Sequence, residues 1–65
     1  MIIRYLNRQL ELPERASVLK VLRHLGVLPE TVVVMRNGEL VARDEILYPE
    51  DDVEVIRVIS GGRLP

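Results

Sequence analysis

The sequence predicts an α+β domain, with one main helix across one face of a mixed sheet of about four to five strands. Three observations predict it. Runs rich in β-branched residues open and close the chain, at positions 1–6 and 53–59. A single stretch, residues 17–25, spaces its apolar residues as a helix does. The chain has 65 residues and no Cys, so one core must hold it without disulfides. A domain of this size buries only about 60% of its unfolded surface, so most of its aliphatic residues must share that core. Phe and Trp are absent and Tyr5 and Tyr48 are the only aromatic residues, so the core is built from Val, Leu and Ile.

Met1-Ile2-Ile3-Arg4-Tyr5-Leu6 reads as the first strand. Asn7-Arg8 is a two-residue polar break, and Gln9-Leu10-Glu11-Leu12 alternates as a half-buried returning strand does. Pro13-Glu14-Arg15 ends the hairpin, because Pro cannot donate to a ladder. Ser17 is the expected N-cap, with Val18, Val21, Leu22 and Leu25 on one apolar helical face. Gly26 fits the left-handed position that stops a helix. Leu28-Pro29-Glu30 reads as a loop. Thr31-Val32-Val33-Val34-Met35-Arg36 is the strongest strand signal, and Asn37-Gly38 the strongest turn signal, of the type I′ kind. Glu39-Leu40-Val41 returns. Residues 43–48 are ambiguous, with a helical turn as one reading. Pro49-Glu50-Asp51-Asp52 is a turn before the final strand. A helix between an opening hairpin and later strands lies across one sheet face, and the apolar first and last strands suit a parallel central pair. That is the arrangement of a β-grasp roll, one of several topologies this element order allows.

Composition excludes several function classes. The net charge is −1 and the Arg residues are scattered, so no clustered basic face for nucleic acid is expected. No signal peptide and no apolar run near the roughly 20 residues of a membrane span is present. The expected compartment is the cytoplasm, and the expected state a monomer when alone. His24 is the only histidine and has no partner for a metal site or a triad. Glu50-Asp51-Asp52 lacks the spaced oxygen ligands of a calcium loop and reads as a solvated turn. Ser17 and Ser60 have no base in a recognisable pattern, and no helix follows Gly61-Gly62 to make a phosphate loop. No catalytic apparatus, bound cofactor or metal site is expected.

The final strand and its continuation carry the functional signal. If Val53 and Val55 face the helix, alternation sends Glu54, Ile56 and Val58 to the other face. One helix covers one face only, so Ile56 and Val58 become candidates for an exposed apolar partner interface unless residues 46–48 cover them. Beyond a domain at 1–60 lies a tail at 61–65. Ser60-Gly61-Gly62 reads as a flexible segment whose Gly pair suits an extended path through a narrow channel. Arg63-Leu64-Pro65 then stands where it would block chemistry at the Gly62 carboxylate.

The opening hairpin, the helix from Ser17 to Leu25, Val32-Val33-Val34 with Asn37-Gly38, Asp52-x-Glu54-Val55 and Val58-Ile59-Ser60-Gly61-Gly62 together resemble the small ubiquitin-like sulfur carriers of the ThiS/MoaD family. The resemblance runs over the chain up to Gly62. It implies a β-grasp fold and a carrier with no catalytic residues of its own. In such carriers an E1-like adenylating enzyme uses ATP to activate the terminal Gly carboxylate. A sulfur donor enzyme then makes the thiocarboxylate, which passes sulfur to an acceptor enzyme. Gly62 is the implied reacting residue. The compact length and Val41-Ala42-Arg43 look closer to the thiamine branch, with thiazole synthase as acceptor. Carriers for molybdopterin, cysteine, methionine or tRNA thiolation are the neighbouring alternatives. Arg63-Leu64-Pro65 departs from the family pattern, and reads either as an extension that a processing protease removes or as an untouched tail on a protein that has lost sulfur transfer. Two further readings differ in class: a protein modifier joined through Gly62 to a lysine, and a β-grasp binding module that is never activated. The chain's single lysine, Lys20, supplies few sites for chain-building on itself.

Overall fold

The computed structural model describes residues 1–58, so the predicted tail and its Gly pair lie outside the described residues. Strands β1 (Ile2–Tyr5) and β2 (Arg8–Glu11) form the opening hairpin. A two-residue strand β3 (Ala16–Ser17) leads into helix α1 (Val18–Leu25). A single 3-10 turn, Pro29–Thr31, precedes β4 (Val32–Arg36) and β5 (Glu39–Val41), and β6 (Ile46–Leu47) and β7 (Asp52–Arg57) follow. The main sheet has five strands in the order β2-β1-β7-β4-β5, while β3 and β6 pair separately. β7 is the middle strand, parallel to β1 and antiparallel to β4. This is the predicted mixed sheet with one helix, the β-grasp arrangement, with the first and last strands side by side.

The helix forms where the sequence predicts it, for the predicted reasons. The Ser17 hydroxyl accepts from the Lys20 amide at 3.1 Å. The Val18 and Leu19 amides donate to the carbonyls of Glu45 and Arg43, so three of the first turn's donors are met. Gly26 ends the helix at φ 75° and donates back to the Leu22 and Arg23 carbonyls. Val18, Val21, Leu22 and Leu25 are buried against Ile3, Tyr5, Val32, Val34, Val53 and Val55 of the sheet. Among the described residues no polar or charged side chain is buried, and no helix is long and apolar enough to cross a membrane.

Four boundaries differ from expectation. The first hairpin turns at Leu6-Asn7 rather than Asn7-Arg8, because Tyr5 pairs with Arg8. Leu6 takes the positive φ of 55° that the two-residue loop demands. Thr31 belongs to the 3-10 turn, not to β4: Pro29 starts the turn, and the Thr31 amide and hydroxyl both donate to the Leu28 carbonyl. Residues 43–48 contain no helical turn. They form a turn closed from Glu45 N–H to the Ala42 carbonyl, then β6 against β3. Leu47 is the reason: its side chain is fully buried in the helix-side core, which an extended pairing achieves. Asp52 belongs to β7 rather than to the acidic turn, because it pairs with Ile2 at the start of the parallel ladder. The turn itself is tied down internally. The Asp51 carboxylate accepts from the Tyr48 amide at 2.8 Å and the Asn37 side-chain amide at 3.2 Å.

Candidate functional site on the outer sheet face

Alternation along β7 places Val53 and Val55 under the helix and Glu54 and Ile56 on the opposite, outer face. The register with β4 sets Val33 across from Ile56 and Met35 across from Glu54. The register of β4 with β5 sets Leu40 across from Met35. Residues directly opposite share a face, so Ile56, Val33, Met35 and Leu40 form one apolar patch on the outer side. Ile56 is 37% exposed, Val58 40% and Leu40 68%. The segment at 46–48 does not cover them, because Leu47 turns into the opposite, helix-side core.

The other half of this face is charged. Arg4 lies across from Glu54 on β1. Its guanidinium makes a two-pronged contact with Asp52, with both N···O distances 3.0 Å. The hydrogen bond and charge of Asp52 raise the Arg4 pKa above its ordinary value, so Arg4 stays a cation at every physiological pH. Glu54 contributes a smaller share to that shift and has no ion pair of its own among the described residues. The outer face thus presents an apolar half beside a carboxylate.

The patch sits at the end of β7 where the chain leaves the sheet. The Val58 amide donates to the Thr31 carbonyl at 2.9 Å, which anchors the exit point. Val58 also lines, with Val33 and Leu40, a cleft of about 430 Å³ that reaches Val18 and Leu22 of the helix. Ser60, Gly61, Gly62 and Arg63-Leu64-Pro65 lie outside the described residues. His24 is exposed on the helix, away from this face, and Ser17 is occupied as the helix cap. Val33, Met35 and Leu40 are the patch members that the sequence reading does not single out. Their signal is in β4, where the run Val32-Val33-Val34-Met35 is apolar on both faces while one helix covers one.

Comparison with known proteins agrees with this geometry. The model of the ThiS family matches residues 2–62, the whole described fold and the chain up to the second glycine of the pair. A sulfur carrier protein, TtuB, of Thermus thermophilus is 43% identical, over 82% of this chain and 94% of its own length. A five-stranded roll with a helix on one face, and a family match that runs its full length to Gly62, make this chain a member of the ThiS family.

Proposed function

We propose that this protein is a sulfur carrier whose Gly62, freed of residues 63–65, is adenylated and converted to a thiocarboxylate. The observation that carries the reading is the family match ending at Gly62, which leaves Arg63-Leu64-Pro65 outside it. The chemistry asks little of the folded body. A carboxylate is a poor electrophile until AMP is attached as its leaving group. An E1-like adenylating enzyme supplies that step from ATP, and a sulfur donor enzyme displaces AMP. The chain is then a cosubstrate, and its own contribution is docking and reach. The Ile56–Val33–Met35–Leu40 patch is the docking surface on the activating enzyme. Gly62 is four residue steps beyond Val58, an extended reach of about 13–14 Å into the partner's site.

Two sulfur acceptors compete. Val41-Ala42-Arg43 after the hairpin supports thiazole synthesis for thiamine. The compact length does not discriminate, since the Thermus carrier is covered over 94% of its length by this chain. The likeness to that carrier, which is named for sulfur carriage and not for thiamine, supports sulfur carriage and gives thiazole synthesis no preference over the alternative, tRNA thiolation. Supplying the thiocarboxylate form to a thiazole synthase and to a tRNA-thiolating enzyme in parallel decides between them.

The experiment on the carrier reading compares the full chain with a version ending at Gly62. Each is incubated with ATP and the organism's own activating enzyme, with and without a sulfur donor, and weighed intact. The extension moves the terminal carboxylate up to about 10 Å beyond Gly62. Reacting atoms must approach to about 3–3.5 Å, so the full chain is expected to stay unmodified. The shortened chain is expected to gain AMP, then to exchange it for sulfur. Equal conversion of both removes the need for processing. No conversion of the shortened chain, by an enzyme active on another carrier, overturns the carrier reading.

A further inference from the structure

Asn37 and Gly38 form the tip of the β4–β5 hairpin, both at positive φ, 52° and 88°. Asn is a thermolabile residue, and a following Gly makes it more so. Gly has no side chain to shield its own nitrogen, and its backbone turns readily onto the Asn carboxamide. Asn7, the other asparagine, is followed by the bulky Arg8. Burial does not protect Asn37. It is exposed, and a side-chain carbon built on Gly38 would meet no atom within 4 Å. The fold instead ties the carboxamide at both ends. Its Oδ1 accepts from the Asp52 amide at 3.0 Å, and its Nδ2 donates to the Asp51 carboxylate at 3.2 Å. The Asn37 backbone amide donates to the Asp52 carbonyl at 2.8 Å, and the second oxygen of Asp51 accepts from the Tyr48 amide. All of these partners belong to residues 48–52, so the tether exists only while the start of β7 is docked on the hairpin tip.

We propose that Asn37 is a modification site: a deamidation site that the folded state closes by tethering and that opening of the 48–52 turn unlocks. The step needs only water. The Gly38 backbone nitrogen, losing its proton, attacks Asn37 Cγ. The Cγ–Nδ2 bond breaks, and ammonia leaves with that proton. Water then opens the cyclic imide at either carbonyl carbon, leaving Asp or isoaspartate at position 37. Neither product rebuilds the tether. The first sets a carboxylate oxygen, with no proton to donate, where Nδ2 faces Asp51, and two like charges at that distance repel. The second lengthens the backbone inside a two-residue loop, whose closure sets Arg36 across from Glu39 and Leu40 across from Met35. The outer-face patch loses its β4–β5 part with that register. Deamidation therefore marks, irreversibly, a chain that has opened at this turn. The chemistry is independent of what happens at Gly62.

The test holds the full chain in mildly alkaline buffer, with and without guanidinium chloride. Peptides spanning Asn37 are followed by mass spectrometry, with electron-transfer fragmentation to separate Asp from isoaspartate. Two side-chain hydrogen bonds, one of them to a carboxylate, are expected to slow the folded chain about tenfold or more relative to the unfolded one. Asp51→Ala, with its fold checked by circular dichroism, is expected to deamidate faster than wild type in buffer and equally fast in denaturant. Equal rates for folded and unfolded wild type, or earlier reaction at Asn7, overturn the proposal. So does a folded Asp51→Ala that reacts as slowly as wild type. A second measurement does not depend on that variant. Asn37→Asp is expected to lower the thermal midpoint, and adding Asp51→Asn is expected to restore most of the loss, because donor and acceptor then exchange places. A double variant no more stable than Asn37→Asp alone removes Asp51 as the lock and overturns the proposal.

Discussion

At the scale of single residues, Ile56 shows how exposure and strand parity together single out a candidate contact. Its neighbours Val55 and Val53 are in the core, while Ile56 lies on the outer face across from Val33. Burying one Ile at an interface stabilises binding by roughly 1.5–3 kcal/mol, so Ile56→Asp is expected to weaken binding to the activating enzyme about tenfold or more. Surface plasmon resonance reads the affinity, and circular dichroism checks that the variant is folded. Unchanged affinity in a folded variant removes Ile56 from the interface. The parity of Ile56 and Val58 was legible in the final strand. Val33, Met35 and Leu40 were not, because choosing which face of an all-apolar strand is outer requires knowing its neighbour's register.

At the scale of elements, α1 is the part whose sequence states its own limits. Ser17 and Gly26 cap it at both ends, and its apolar stripe meets the sheet. Leu22, at 2% exposure, has no room to be replaced by solvent. Leu22→Ala is expected to cost about 2–5 kcal/mol through lost burial and a residual cavity. Set against a total stability of about 5 kcal/mol, that brings the domain to the edge of unfolding, read as a lowered urea midpoint. An unchanged midpoint would mean that the helix packs elsewhere. The element that escaped the sequence reading is β6. Two residues are too few for periodicity to show, and the pairing that defines them is with Ala16 and Ser17, far earlier in the chain. Strand β3 was hidden in the same way, since Ser17 announces a helix cap and nothing else.

At the scale of the molecule, everything that holds the fold together among the described residues precedes Ile59. A chain ending at Gly62 is therefore expected to melt within about a degree of the full chain, since no buried residue of the described core is removed. A markedly lower midpoint for the shortened chain, by differential scanning calorimetry, would show that the body depends on the residues after Val58. The overall topology was partly legible. Apolar first and last strands pointed to a parallel pair, and β1 and β7 are that pair. The strand order itself was not, because the alternation of β4 fits either side of β7 equally well. Only the summed packing of Val32 and Val34 with Val53 and Val55 under one helix selects the order seen.

The place of β7 has a consequence for how the protein comes into being. The middle strand of the sheet follows every other described element in the sequence, and it bonds to partners on both sides. A nascent chain that has emerged only as far as β6 holds two separate hairpins and a helix with no common floor. Its outer-face apolar patch is incomplete as well, because Ile56 is still to come. Pairings of such long sequence separation are slow to form, so closure awaits the emergence of β7. Completion of the described core therefore waits on its last strand. A chain stopped short of β7 lacks Ile56, so the order of the strands keeps an unfinished body from presenting the outer-face patch.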